Sequence, residues 1–352
     1  MFKQITVLPA FFLLSAAQHA GVTVVPRYRG ALPSAEARMV SGMHYDPFDT
    51  PLAWMPNGDL FITHDERYSY ADVSSATCAG SGLYAVRSAG GSARTLSVGQ
   101  PACGAALGSD GAAVDPTGSW IVYSARVLPN NSRLLRLQLS TARIETLPTG
   151  CRIYHDQPAI GPTGRLIAAR GICRDREENY GVYITHADGS GLYRASGVDS
   201  ASEEAPAWSP DGKRIAFERT QGAATDRVEE IAVMDVTGRD RRVLTRGIAP
   251  SWSPNGQWIA FVASERRRVD ARTLRVIHPD GTGERVLFRT SERGSYSRGW
   301  GPMPEGLPSA PLVWSPDSRW IAFTRAFDRG SSIWCVELSS GQVAQITAPA
   351  TP

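Results

Sequence analysis

The sequence predicts an all-β protein: a six-bladed β-propeller of four-stranded antiparallel blades. Three observations predict it. Glycine (34) and proline (24) together make about one residue in six of a 352-residue chain, apolar residues come in short clusters, and one motif recurs along the chain, each copy trailed by further strand-like segments. Many short strands joined by tight turns fit this pattern, and long helices do not.

The motif is clearest in Ala205-Pro-Ala-Trp-Ser-Pro-Asp-Gly-Lys-Arg-Ile-Ala-Phe217, which returns as Ala249-Pro-Ser-Trp-Ser-Pro-Asn-Gly-Gln-Trp-Ile-Ala-Phe261 and as Ala310-Pro-Leu-Val-Trp-Ser-Pro-Asp-Ser-Arg-Trp-Ile-Ala-Phe323. Weaker copies lie at 51–61, 113–123 and 158–168, so that Pro56, Pro116, Pro162, Pro210, Pro254 and Pro316 mark six repeats. Proline presets φ at the second turn position and glycine accepts φ > 0 later in the turn, so the chain reverses between strands A and B. Strand B, such as Ile215-Ala-Phe217, is apolar on both faces, as expected where sheets pack on both sides. Trp54, Trp208, Trp252 and Trp314 precede the turn, where each is expected to fill the space between adjacent sheets. A second pattern follows each copy, for example Glu230-Ile-Ala-Val-Met-Asp235, a turn, then Arg242-Val-Leu-Thr245. It supplies strands C and D. The expected blades are 51–98, 99–148, 149–196, 197–246, 247–289 and 306–347, within a propeller spanning 51–348.

The string Trp208-Ser-Pro-Asp-Gly-x-x-Ile-Ala-Phe217 resembles the repeat of TolB-type propellers, which recurs in prolyl-oligopeptidase-like enzymes. The likeness covers about five-sixths of the chain. It implies an envelope-associated binding protein. TolB carries an additional α/β domain ahead of its propeller, and here only a linker or closing segment, 21–50, precedes the first blade. The propeller peptidases add a hydrolase domain with Gly-x-Ser-x-Gly, and that motif is missing, which excludes a serine hydrolase of that type.

Met1-Phe-Lys-Gln4 followed by an apolar run from Ile5 to Ala17 and small residues to Ala20 reads as a signal peptide over 1–20, so a periplasmic or secreted protein is expected. No later stretch approaches the length of a membrane span. Cys78 with Cys103 and Cys151 with Cys173 are expected as disulfides on one face, leaving Cys335 as a buried free thiol. Net charge is only +3. A nucleic-acid partner is therefore not expected, and the protein is expected to be a monomer.

Connections from D to A and from B to C emerge on one face, where irregular sequence collects. Thr63 to Ser81 carries His64, Asp65, Arg67, Tyr68 and Tyr70, and Arg289 to Ser309 carries Tyr296, Arg298, Trp300 and Met303. The channel entrance carries an acidic position at Asp49, Asp110, Asp156 and Glu204 in blades 1 to 4, replaced by Ile248 and Ser309 in blades 5 and 6. His155 and His44 lie nearby. Converging carboxylates suit a basic peptide segment or a hard cation, with Ca²⁺ in the channel the one candidate and no other cofactor expected. The competing reading has each carboxylate capping backbone N–H groups between blades. Asp188-Gly and Asp280-Gly are read as hairpin turns rather than calcium loops. Between Gly238 and Gly299 thirteen arginines face six acids.

The leading expectation is a non-catalytic exported propeller binding a protein, peptide segment or cation at the channel entrance through Asp49, Asp110, His155, Asp156, Glu204, Tyr296, Arg298 and Trp300. The alternative is a carbohydrate-active enzyme, a polysaccharide lyase or glycosidase, with Asp49, Asp156 and Glu204 as its carboxylates.

Overall fold

The computed structural model describes residues 48–65, 82–87, 94–98, 112–128, 131–149, 152–153, 158–172, 180–197, 201–222, 227–265, 268–289, 311–327 and 330–347. They form six antiparallel sheets arranged as a six-bladed propeller. Blade 1 comprises β1 (Phe48–Trp54), β2 (Asp59–Asp65), β3 (Gly82–Arg87) and β4 (Arg94–Val98). Blade 2 comprises β5 (Ala112–Val114), β6 (Trp120–Leu128), β7 (Asn131–Gln138) and β8 (Arg143–Thr146). In blade 3, β10 (Ala159–Ile160), β11 (Leu166–Ile172), β12 (Gly181–His186) and β13 (Tyr193–Arg194) are joined by the short β9 (Arg152–Ile153), which pairs with the far end of β11. Blade 4 holds β14 (Ser202–Trp208), β15 (Arg214–Gln221), β16 (Val228–Asp235) and β17 (Arg242–Arg246). Blade 5 holds β18 (Ile248–Trp252), β19 (Ile259–Glu265), β20 (Arg268–Ile277) and β21 (Arg285–Arg289). Blade 6 holds β22 (Val313–Trp314), β23 (Trp320–Phe327), β24 (Gly330–Glu337) and β25 (Val343–Gln345).

The repeat motif builds the A-to-B turn through more groups than its proline and glycine. In blade 4, Ser209 Oγ donates to Asp211 Oδ1 at 2.6 Å, Lys213 N–H donates to the same oxygen at 3.0 Å, and Arg214 N–H donates back to Ser209 Oγ at 2.9 Å. Blades 5 and 6 repeat the scheme with Ser253 and Asn255, and with Ser315 and Asp317. The serine and the Asx residue therefore satisfy turn N–H groups that strand pairing leaves over. In blade 6 the glycine position is taken by Ser318 at φ 60°, a conformation strained for a residue with a Cβ. Asp188 and Asp280 also serve turns, accepting from Ser190 and Thr282.

Each seam between neighbouring blades holds its own hydrophobic cluster, as strand alternation requires. Ile215 and Phe217 face blade 3, where they pack with Trp208, Val182 and Ile184, while Ala216 faces blade 5 beside Trp252 and Phe261. Small alanine on one side and large aromatics on the other let adjacent sheets approach closely. Trp314 fills the seam between blades 5 and 6, and Trp54 packs against the seam between blades 6 and 1. That last seam joins Leu60, Ile62, Tyr84 and Val86 of blade 1 to Ile333, Cys335, Ala344 and Ile346 of blade 6. Since every sheet is built from consecutive strands, the ring closes by packing, with no strand exchanged among the described residues. Burying side chains of this size contributes roughly 1.5–3 kcal/mol each. Among the described residues no helix is long and apolar enough to cross a membrane.

Candidate functional site

Strand register sets the chemistry of the end of each blade where the connection from the preceding blade arrives. Aligning the B strands on the residue opposite the end of strand A puts Thr63, Ser124, Arg170, Glu218, Val262 and Thr324 at one level. In blades 1, 2 and 6 this level carries buried hydroxyls, and in blade 5 a buried valine. Blades 3 and 4 carry charge instead. Glu218 follows the parity of Ala216 toward blade 5, where its Oε2 accepts a hydrogen bond from Ala249 N–H at 3.3 Å.

The innermost strand of blade 4 makes this possible through a bulge between Glu204 and Ala207, which sets Glu204 opposite Glu218. Ala205 adopts φ 48° at the bulge, and Ala249 adopts φ 52° at the matching place in blade 5. Alanine tolerates the left-handed region better than a β-branched residue, which accounts for the repeated Ala-Pro ahead of the tryptophan.

Arginines surround the two carboxyls. Arg170 Nη1 lies 2.7 Å from Glu204 Oε2, and its guanidinium stacks 3.7 Å over the Tyr180 ring. Arg227 Nη2 stands 4.0 Å from both Glu204 Oε1 and Glu218 Oε1, while its Nε holds Glu229 at 3.1 Å. Arg219 pairs with Glu230 at 3.1 Å. Glu218 is the carboxyl with the weakest compensation. Burial, then the neighbouring charges of Glu204 and Glu229, push its pKa from 4.5 up to about 8, against the smaller opposing effects of Ala249 N–H and Arg227. At neutral pH the pair is asymmetric: Glu204 faces a close guanidinium, and Glu218 holds its proton.

Of the residues expected at the entrance, Glu204 lies here, at the start of strand A in blade 4. It answers to an arginine of the neighbouring blade rather than to backbone N–H groups. Asp49 lies on β1 opposite His64, so it takes the register of Glu203, and Thr50 takes the register of Glu204. Glu203 is fully buried and ion-paired with Arg241. Asp110, His155, Asp156, Tyr296, Arg298 and Trp300, together with His44, Cys78, Cys103, Cys151 and Cys173, lie outside the described residues. Cys335 is buried and unpaired. No group of three or more His, Cys, Asp or Glu side chains able to hold a metal ion occurs among the described residues. Arg170, Glu218 and Arg227 escape a reading centred on strand A. The signal for the first two was the residue directly after Ile167-Ala-Ala169 and Ile215-Ala-Phe217, where charge interrupts an apolar strand.

No protein-family profile and no curated protein matches the chain. Solved structures do. A TolB-like protein of Agrobacterium tumefaciens superposes with a TM-score of 0.58 at 18% identity, over 80% of this chain and 90% of that one. TolB of Acinetobacter baumannii gives 0.54 at 14% identity, over 76% of this chain and 63% of that one. An oligogalacturonate lyase of Vibrio parahaemolyticus gives 0.51 at 12% identity, over 84% and 91%. The chain therefore shares the propeller fold of these TolB-like proteins, a fold also found in an oligogalacturonate lyase.

Proposed function

We propose that the protein is an exported, non-catalytic propeller that binds a protein of the cell envelope by a basic segment entering the channel mouth. The observation that supports this is the placement of Arg227, a side chain half exposed, at 4.0 Å from both Glu204 and Glu218. The Arg227 guanidinium stands too far from Glu204 for a tight pair, so an arginine or lysine of a partner can take its place and bind the Glu204 carboxylate more closely, with the protonated Glu218 as a neutral hydrogen-bond acceptor beside it. The pattern of residues 1–20 and the TolB-like fold support the envelope as the setting.

The test is binding of a labelled hexa-arginine peptide, followed by recovery of partners from an envelope extract, with wild type and Glu204→Gln compared. Loss of both in the variant supports the reading, and equal binding by the two proteins overturns it.

A second reading, a polysaccharide lyase or glycosidase, is favoured by one observation: Glu218, whose pKa burial pushes up to about 8, lies directly opposite a second carboxyl, Glu204, so a proton donor stands beside another carboxyl. Product formed from oligogalacturonate by wild type and not by Glu218→Gln would establish it over the binding reading.

A further inference from the structure

We propose that the turn face between blades 4 and 5 carries a second binding site, a cationic groove that takes the carboxylates of an acidic peptide segment. The groove is open, has a volume of about 550 Å³, and is lined by Arg214, Arg242, Gln257, His278, Pro279 and Asp280. Arg214 begins strand B of blade 4 and Glu218 lies four residues further along it, so the groove and the channel-mouth carboxyls are about 13 Å apart along the strand.

The arginines and the histidine of the groove are held in place by aromatic rings and backbone carbonyls, while Asp211 feels the charge of Arg214 and Asp280 that of His278. The Arg214 guanidinium lies 5.1 Å over the Trp252 ring, and Arg242 Nη2 donates to the Pro279 carbonyl at 2.6 Å. His278 stacks on Trp258 at 3.8 Å, with Nδ1 2.9 Å from the Gln257 carbonyl; a carbonyl only accepts, so Nδ1 carries a proton. Neither Arg214 nor Arg242 has a carboxylate partner within 4.0 Å among the described residues. The acids nearby are engaged in their own turns. Asp280 Oδ1 accepts from Thr282 N–H and Oγ1 at 2.9 and 2.7 Å, and Asp211 Oδ1 accepts from Ser209 and Lys213 at 2.6 and 3.0 Å. Two ordered guanidinium forks with unused donors are what carboxylate recognition needs.

The chemistry separates a peptide from a sugar. Arg214 lies over the buried Trp252, and His278 stacks on Trp258 with Arg285 5.0 Å from the same ring, so among the described residues the tryptophans beside the groove are already engaged by charged or polar groups rather than left for a sugar ring. Recognition rests on charge and forked hydrogen bonds, and the volume exceeds that of a single inorganic anion.

The test measures binding of fluorescein-labelled hexaglutamate to the full chain, with trigalacturonate as the sugar probe. Arg214→Gln and Arg242→Gln are each expected to weaken peptide binding about tenfold, with affinity falling as salt rises. Arg246→Gln, an exposed arginine outside the groove, is expected to bind as wild type does. Arg242→Gln also removes the bond to Pro279, so melting temperatures accompany every titration, and Arg214→Gln, whose guanidinium has no hydrogen-bond partner among the described residues, carries the result if Arg242→Gln does not fold. Absence of peptide binding, equal weakening by Arg246→Gln, or tighter binding of trigalacturonate than of peptide overturns the proposal.

Discussion

Glu218 Oε2 accepts the Ala249 backbone N–H at 3.3 Å across the seam between blades 4 and 5. The acceptor is a buried carboxyl, and the donor belongs to a bulge residue at φ 52° that strand pairing leaves without a partner. This one bond ties the innermost strand of blade 5 to the second strand of blade 4, so its protonation state bears on how the seam holds together.

Stability is expected to fall between about pH 4.5 and pH 8 through Glu218. The unfolded carboxyl loses its proton near 4.5, whereas the folded one keeps it up to about 8. Across that window the native state binds more protons than the unfolded state, so unfolding free energy declines as pH rises, by a few kcal/mol in order of magnitude, and levels off above it. Glu218→Gln keeps a neutral acceptor for Ala249. Its melting temperature should be flatter than that of wild type from pH 5 to 8; parallel curves for the two proteins would disprove the assignment.

Trp208 Nε1 donates to the Ala159 carbonyl of blade 3 at 3.0 Å, and Trp314 Nε1 donates to the Ser251 carbonyl of blade 5 at 3.0 Å. Trp252, at the same place in blade 5, has a buried Nε1 with no partner among the described residues. Replacement by phenylalanine removes similar volume at all three. Trp208→Phe and Trp314→Phe should therefore cost about 1–2 kcal/mol more than Trp252→Phe in urea melts, because only they leave a carbonyl without its donor. Equal losses would show that packing alone decides.

Arg170→Met is expected to destabilise the fold by about 2–4 kcal/mol, since Glu204 keeps only Arg227 at 4.0 Å. Adding Glu204→Gln should recover much of that loss, because a neutral amide replaces the unpaired charge. Additive losses in the double variant would mean that Arg170 acts through its stacking on Tyr180 rather than through the ion pair.

The architecture was legible because the features that build it repeat. The turn proline, the glycine or serine two residues later and the apolar strand after it recur in all six copies, with tryptophan ahead of the turn in four, and a fold made of like units displays its rule six times. The site is legible only in part because it is made where the units differ. Arg170 and Glu218 occupy a level that other blades fill with threonine, serine or valine, and their partnership with Glu204 depends on a bulge whose register no single repeat reveals. Asp49 illustrates the same limit. Taking the acid that lies ahead of each Pro or Ala of the motif groups it with Glu204, whereas counting back from Trp54 and strand pairing both group it with Glu203, and one residue of register moves a strand position to the other face. The roles of Ser209 and Asp211 were equally hidden, since a motif read for proline and glycine does not announce side-chain bonds inside the turn.

Cys335 belongs to the seam that closes the ring, packed with Val313, Ala322 and Ile346 of its own blade and with Leu60 and Tyr84 of blade 1. Burial pushes its thiol pKa up to about 12, so almost no thiolate forms at neutral pH. Titration with a thiol reagent under native conditions is expected to leave Cys335 unmodified, and its modification in denaturant should follow the loss of β structure. Because this seam is held by packing among the described residues, Cys335→Ser, which places a hydroxyl among apolar neighbours, should cost about 1–3 kcal/mol, while Cys335→Ala should cost less than Cys335→Ser. Rapid native modification of Cys335 would mean that the seam between blades 6 and 1 opens far more readily than its packing allows.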